Sequence, residues 1–591
     1  TTYKARDRSP AFPNQPSAVF SDRKELRLRN TNTVNYDVLN VGPHKLKLMA
    51  GHEVLFTQTN ELEYEIQGYP VLFSSEEAFK LTTQGTSIYA DNNFSPDDKL
   101  LSFFGRANYD YEGKYLVSAV YRADGSSRFK GNNVWGYFPS LSAGWKISEE
   151  SFMSSTSSWM HLLKLRVSYG LAGNNNIPRG QTVQSFESKT TTYINDVASY
   201  WAASTIMANP DLKWETTETK NIGIDFGMLQ GRITGTIEAY QNNTKDLLIR
   251  FPVSGTGYDY QYRNMGETEN KGLELSLTGI ALDKKDYGLN VNFNIALNRN
   301  NIKSLGVMEE LIGSEVTTGW ASTQIANDYL ARVGDPIGMM YGYVNDGRYE
   351  VSDFERYDEA TGQWILKEGV VTSDGILTPR PGMMKLRDLD GNDTITVDDR
   401  KFIGNANPLH TGGFVINGYA YGFDLTAAFN WSYGNDIYNA NKIEFTSANQ
   451  NNQYRNLIDI QQEGQRWTNI DWNTGELITD MDQLAAVNAN TTMWSPYMDR
   501  YVFSDWAVED GSFLRLNTLT LGYTLPKSIV ERAKIENLRF YVTGYNLFLL
   551  TNYTGFDPEV STRRKTPLTP GVDYSAYPRS RQLTVGLNLT F

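Results

Sequence analysis

Cysteine is absent from the 591 residues, which excludes a disulfide scaffold and any cysteine-based metal or nucleophile chemistry. Histidine is nearly absent. His44, His52, His161 and His410 are the four, and no two stand at the i, i+4 spacing of a helical metal pair, so imidazole-centred catalysis has little material. There is no Gly-x-Ser-x-Gly elbow and no Walker-type glycine loop with lysine. Carboxylates are plentiful, but nothing in the sequence selects two at glycosidase separation, so no enzyme is expected. Basic residues are outnumbered, 55 against 68 acidic, and the net charge of −13 argues against general nucleic-acid binding. Residues Thr1–Pro16 show no charged-then-apolar leader. No stretch approaches the roughly 18 consecutive apolar residues of a membrane helix. That last absence does not make the chain soluble, because membrane strands alternate apolar and polar residues and average out as hydrophilic.

What is abundant points to strands. Aromatic residues reach 13% and glycine 49 residues, while proline is scarce at 20 and falls mainly outside the alternating runs. Fifteen segments of roughly 10–16 residues carry period-two alternation, about what a tilted strand needs to cross a bilayer and project beyond it. The clearest is the last: Leu583, Val585, Leu587, Leu589 and Phe591 are apolar, and small or polar residues stand between them. The others are expected at Glu25–Leu39, Lys45–Thr59, Leu100–Tyr109, Lys114–Ser127, Trp135–Ile147, Leu162–Leu171, Lys220–Met228, Arg232–Ile249, Gly272–Ile280, Tyr287–Asn298, Gly413–Tyr421, Phe423–Tyr433, Phe513–Leu525 and Asn537–Leu550. Met339–Tyr349 also reads as a strand and leaves the count open by one or two.

The connections alternate between short and long. Val41–His44, Asp110–Gly113, Leu229–Gly231, Ala281–Asp286 and the Gly422 step are short, with Ser148–Met160 and Pro526–Glu536 moderate members of that series. Asn60–Lys99, Ala172–Glu218, Asn300–Gly412, Gly434–Ser512 and Thr551–Arg581 are long, and Phe129–Val134 is a short member of the long series. A soluble sandwich has no reason to sort its loops by parity. An outer-membrane barrel does, since its periplasmic turns are short and its extracellular loops long. The expected fold is therefore all-β, a transmembrane antiparallel barrel. Residues 1–23 are expected as an extracellular loop remnant and 24–591 as strands with long loops. Single-chain bacterial barrels close with an even number of strands, so an odd count implies further strands N-terminal to this chain.

The terminal Phe591 resembles the assembly signal read by the barrel-assembly machinery of bacterial outer membranes. Longer stretches resemble the SusC/RagA family of TonB-dependent transporters. "YLVSAVYRADGSSRF" (Tyr115–Phe129), "WGYFPSLSAGWKISEESFM" (Trp135–Met153), "LKLRVSYGLAGNNNI" (Leu163–Ile177) and "NPDLKWETTETKNIGIDFGML" (Asn209–Leu229) follow the family's order. So do "DPIGMMYGYVNDGRY" (Asp335–Tyr349), "GFDLTAAFNWSYGNDIYN" (Gly422–Asn439), "FLRLNTLTLGYTLP" (Phe513–Pro526) and "LRFYVTGYNLFLLTNYTGFDPE" (Leu538–Glu559). The resemblance implies a barrel of about twenty-two strands in outer-membrane lipid, with a plug domain and TonB-contacting segment outside this chain. It also implies a SusD-like surface lipoprotein as partner and oligosaccharides or oligopeptides as substrates. The rival readings are a passive porin-like channel and a soluble all-β enzyme or adhesin.

One segment has the pattern of a cation site. Asp388, Asp390 and Asn392 occupy positions 1, 3 and 5 of a twelve-residue calcium loop, with Thr394 at 7, the apolar Ile395 at 8 and Asp399 at 12. Asp393 departs from the glycine expected at position 6, and Asp399 from the bidentate glutamate at 12. The expectation is a structural Ca²⁺ or similar cation stiffening an extracellular loop; the alternative is a solvated cluster of Asx turns. Family members commonly carry an acidic, dockerin-like run here. Among the aromatics, Trp201, Trp320, Trp472 and Trp494 fall in loops and so are not interface girdle. They are candidates for stacking on sugars or packing on the partner lipoprotein, and equally for anchoring their own loops.

Overall fold

The computed structural model describes the chain apart from residues 6–13, 95, 195–196, 254, 312–316, 322–323, 449–455, 563–565 and 567. Fifteen long strands dominate it. They are β1 (Ser17–Val41), β2 (His44–Gln67), β3 (Asp98–Tyr111), β4 (Tyr115–Ser126), β5 (Trp135–Lys146), β6 (Met160–Asn174), β7 (Glu215–Met228) and β8 (Ile233–Pro252). Then follow β9 (Tyr260–Asp283), β10 (Tyr287–Ser304), β11 (His410–Ala420), β12 (Phe423–Tyr433), β13 (Phe513–Thr524), β14 (Asn537–Thr551) and β15 (Gln582–Thr590). Each of the fifteen alternating segments is a strand, and several extend well beyond the alternating stretch at the end next to the long loops. The chain divides into two compact units: residues 1–146, 166–220 and 243–266, and residues 147–165, 221–242 and 267–591.

In the first unit, β1 to β5 form an antiparallel meander. β1 has 25 residues and at roughly 3.3 Å per residue spans ~80 Å, far more than the ~30 Å hydrocarbon core. Its apolar stripe of Leu26, Leu28, Val34 and Tyr36 is exposed on one face. On the other, Glu53 accepts hydrogen bonds from Arg29 (2.6 and 2.9 Å) and Thr31 (2.9 Å). A register shift between Asp37 and Leu39 moves Leu39 and Val41 onto the apolar side. β1 begins at Ser17, so residues 17–23, expected in a loop remnant, are strand. The reason is a small core above the alternating stretch, where Ala18, Ile66, Tyr69 and Ala78 are buried together and Phe20 stacks on Tyr64 at 4.6 Å.

In the second unit, β9 from residue 267 onward and β10 to β15 form another meander. In the β14–β15 pair, Leu589 faces Leu538, Leu587 faces Phe540 and Val585 faces Val542, while Asn588 faces Arg539 and Thr584 faces Thr543. Apolar thus lies opposite apolar along one exposed face, which fixes the register, because a one-residue slip would invert every side chain. The β11–β12 hairpin turns on Tyr421 (φ +50°) and Gly422 (φ +91°), two positive φ values as a type I′ turn requires.

Loop parity holds along the chain. One series of connections is residues 42–43, 112–114, 147–159, 229–232, 284–286, 421–422 and 525–536. The other includes 68–97, 175–214, 305–409, 434–512 and 552–581, with 127–134 and 253–259 as short members. The 253–259 link is short because β8 and β9 run on toward it, past the ends their alternation suggests. Met339–Tyr349 adds no sixteenth long strand. It breaks into Met339–Gly342 and Asn345–Arg348, which pair with Lys401–Asn405 and Met384–Leu386 inside the loop region.

Candidate ligand and cation sites in the long loops

The two longest connections, 305–409 and 434–512, fold into a body with its own core. Tyr349, Phe354, Leu377, Met383, Leu386 and Ile395 are almost wholly buried there, joined by Met493 and Trp494 from the second connection. An eight-residue helix, Met481–Asn488, is capped by Asp480, whose Oδ1 accepts from the Gln483 N–H at 2.8 Å, and it buries Leu484 beside Trp467. Loops packed this way present fixed side chains.

The acidic run sits on this body. Asp388 Oδ1 accepts from the N–H groups of Asp390 (3.1 Å) and Gly391 (2.7 Å), and its Oδ2 from Asp393 (2.7 Å). Asp399 is fully buried and accepts from Leu389 N–H at 2.8 Å through Oδ1 and from Thr396 N–H at 2.7 Å through Oδ2. Thr394 N–H donates to Asn392 Oδ1 at 2.8 Å. Ile395 is anchored in the core, and its N–H donates to the Thr372 carbonyl at 2.8 Å. Asp393, standing where glycine was expected, adopts φ +63°; aspartate is among the few residues that tolerate this region, so the turn survives the departure. Asp388, Asp390 and Asp399 bring oxygens within 4.8 Å of one another. Desolvation, with the charges of Asp399 and Asp388 behind it, raises the carboxyl of Asp390. Desolvation acts on Asp388 too, but the converging N–H groups outweigh it and hold that carboxyl below its usual range. Asp388 Oδ2 and Asp399 Oδ1 each keep a lone pair beyond the one N–H they accept, as a hard cation needs. The donor set fits a small oxygen-seeking cation.

The four loop tryptophans divide. Trp320 is buried, donates through Nε1 to Tyr438 Oη at 2.7 Å and lies among the rings of Tyr438, Tyr501 and Tyr574. Trp494 is buried edge-on to Trp506 at 4.5 Å. Both are packed as anchors within the loops, because loops of this length need a core that alternation does not reveal. The side chain of Trp201 lies outside the described residues. Trp472 is 62% exposed and remains a surface ring.

At least four cavities open among the described residues of this unit, two of them walled largely by the 434–512 connection. The larger, about 1000 Å³, is walled by Phe445, Ile460, Trp506, Phe556 and Tyr577. Lys442 also lines it, 4.4 Å over the Trp506 ring and 3.3 Å from Glu509. Burial pushes the Glu509 carboxyl up, but the Thr554 N–H and hydroxyl, Lys442 and Asn439 outweigh it and hold the group below its usual range. The smaller cavity, about 320 Å³, is lined by Trp364, Trp467, Trp472 and Tyr357 with Arg380 and Arg466. At another cavity of about 480 Å³, lined in part by Phe513 and Glu559, buried Arg515 pairs with buried Asp557 at 2.7 Å and with Glu559 at 2.8 Å, and Arg579 reaches Glu559 at 3.0 Å. This cluster ties the 552–581 loop to β13. Sequence reading passed over it, although its acids lie in the quoted stretch ending at Glu559. Among the described residues, no group of three or more potential metal ligands other than the acidic run comes together.

A family model described as TonB dependent receptor-like, beta-barrel matches residues 1–378. The chain is 30% identical over 579 residues to TonB-dependent receptor P3 of Formosa agariphila, covering 97% of this chain and 53% of the relative. It is 30% identical over 572 residues to TonB-dependent receptor SusC of Bacteroides thetaiotaomicron, covering 94% and 49%. A solved structure of the RagAB peptide transporter superposes with a TM-score of 0.73 at 24% identity, covering 99% of this chain and 58% of that one. The chain thus spans about half the length of the curated relatives it matches.

Proposed function

Because this chain belongs to the TonB-dependent receptor-like β-barrel family of the bacterial outer membrane, we propose that it supplies wall and extracellular loops to an energised importer of oligosaccharides or oligopeptides. The observation that carries this reading is the loop body. Two connections of about a hundred and about eighty residues share one core and hold cavities of about 1000 and 320 Å³, the size range of small-molecule and oligomer sites. A passive pore has no need of such cavities. Likeness to SusC and to the RagAB transporter supports a SusD-like lipoprotein over the mouth and a TonB complex as the energy source. Neither class of substrate is favoured by the comparisons alone, since RagAB is described as a peptide transporter and P3 only as a receptor.

The test is binding and uptake by the full-length protein with its partner lipoprotein, against a panel of glycans and peptides. Saturable uptake of one class supports the reading. Correctly assembled protein that takes up nothing from either class sinks it.

We also infer a structural cation at Asp388, Asp390, Asn392, Thr394 and Asp399. The spacing, the shared 4.8 Å radius of three carboxylates and the positive φ at Asp393 support it. Its role would be to stiffen the loop, with no part in chemistry.

A further inference from the structure

The smaller cavity carries an unusual charge pattern. The protein has a net charge of −13, yet the described residues lining this pocket include two arginines and no carboxylate. Arg380 sits between two prolines, in Thr378-Pro379-Arg380-Pro381-Gly382. Gly382 adopts φ +82°, and a Cβ there would lie 2.1 Å from the Trp467 indole, so the segment lies directly on that ring. The Gly382 carbonyl accepts from Ser495 N–H at 2.7 Å, and the Met383 N–H donates to the Arg380 carbonyl at 3.0 Å. The backbone bearing Arg380 is therefore held in place. Its Nη2 donates to the Tyr497 carbonyl, while its Nε is shielded from solvent and has no partner among the described residues. Asp499 is near enough to act on the guanidinium but spends Oδ2 on the Thr378 N–H at 2.7 Å. Arg466 donates to the Gln461 carbonyl and packs 5.7 Å from the centroid of Trp472. Among the described residues neither arginine has a carboxylate ion-pair partner.

Arg380 is half-buried, and a shielded guanidinium donor left unused is costly unless something anionic completes it. Arginine's fixed fork matches a carboxylate particularly well. The lining also includes aromatic rings, of which Trp472 is 62% exposed, and such a ring is a surface on which the C–H face of a sugar can stack. We propose that this pocket binds a uronate residue of an acidic oligosaccharide. Its carboxylate meets Arg380 and Arg466, and its ring lies against Trp472 at the rim. This rests on the import reading above and narrows its substrate to anionic glycans.

The experiment measures binding to purified full-length protein in detergent, and so needs no energised uptake. The probes are uronate tetrasaccharides of galacturonate, glucuronate and mannuronate, the methyl esters of the same sugars, and tetraglutamate. At least one uronate should bind, with its ester at least about tenfold weaker. R380Q and, independently, the exposed-site variant W472A should each weaken uronate binding by about tenfold or more, with heat-modifiable gel migration unchanged as proof of folding. The proposal is overturned if no uronate binds, if acid and ester bind alike, or if both variants bind as wild type. It is equally overturned if tetraglutamate binds as tightly as the sugar. A protein that binds uronate but imports nothing would refute the import reading and leave the pocket assignment standing.

Discussion

At the scale of single residues, Asp328 gives a pH dependence whose sign can be worked out. It is almost wholly buried and accepts from the Thr318 N–H (3.0 Å) and hydroxyl (2.5 Å). Desolvation outweighs those bonds and raises its carboxyl from 3.8 to about 6. A raised pKa means that the folded loop holds the proton more tightly than the unfolded chain. The stabilisation is therefore fully present below about pH 4 and is lost as pH rises through about 6, by on the order of 3 kcal/mol. Hydrogen exchange across residues 317–343, corrected for intrinsic rates, should show protection falling over that window. D328N should flatten the fall, and an unchanged pH profile in that variant would remove Asp328 as its cause. The cation loop belongs to the same scale. Millimolar Ca²⁺ should slow proteolysis of the 388–399 segment, and D388N with D390N should abolish the protection. Wild-type cutting rates that ignore both Ca²⁺ and chelator would count against the site. Asp388, Asp390 and Asp399 were legible because ligand spacing is local in sequence. Arg380 was not, because its significance lies in partners that are missing, and only a structure shows those.

At the scale of elements, the strand before Phe591 allows an assembly role to be tested apart from a stabilising one. β15 pairs with β14 along its whole length, yet Phe591 lies beyond the last paired residue with 82% of its surface exposed. Its ring buries little within this chain and so contributes little to the folded state. Deleting it, or making Phe591→Asp, should cut the yield of barrel in the outer membrane while leaving the unfolding temperature of whatever assembles nearly unchanged. Equal yield would refute the assembly role, and a large drop in unfolding temperature would show that the ring also holds the fold. The strands were readable because a face toward lipid and a face toward the lumen impose a period of two on every wall segment. Where packing replaces that two-sided solvent, the period disappears. Ser17–Asp22 in β1 and Tyr260–Lys271 in β9 are strand without clean alternation, so their ends were misjudged. Inside the loop body, Trp320 and Trp494 are buried in packing with no periodicity at all, which is why the sequence leaves them open between ligand contact and loop anchor.

At the scale of the whole molecule, the remaining contest is between an energised importer and a passive channel. Wall strands, short turns on one side and long loops on the other are common to both. The difference lies in what the loops do. Those of this chain bury a continuous core from Tyr343 to Val502 and clamp the 552–581 loop to β13 through Arg515, Asp557 and Glu559. Ordering so much chain is costly in conformational entropy, and a pore that admits solutes by size alone gains nothing from it. A transporter that must hold its cargo until energy arrives does, because a fixed site binds without first ordering its own loops. Uptake of the cognate oligomer by cells expressing the full-length protein should therefore be saturable. It should fall to background when the proton gradient is collapsed or the TonB complex is deleted, while binding at the cell surface persists. Uptake that continues undiminished without energy, scaling linearly with concentration, would establish the channel and leave the loop cavities without a transport role.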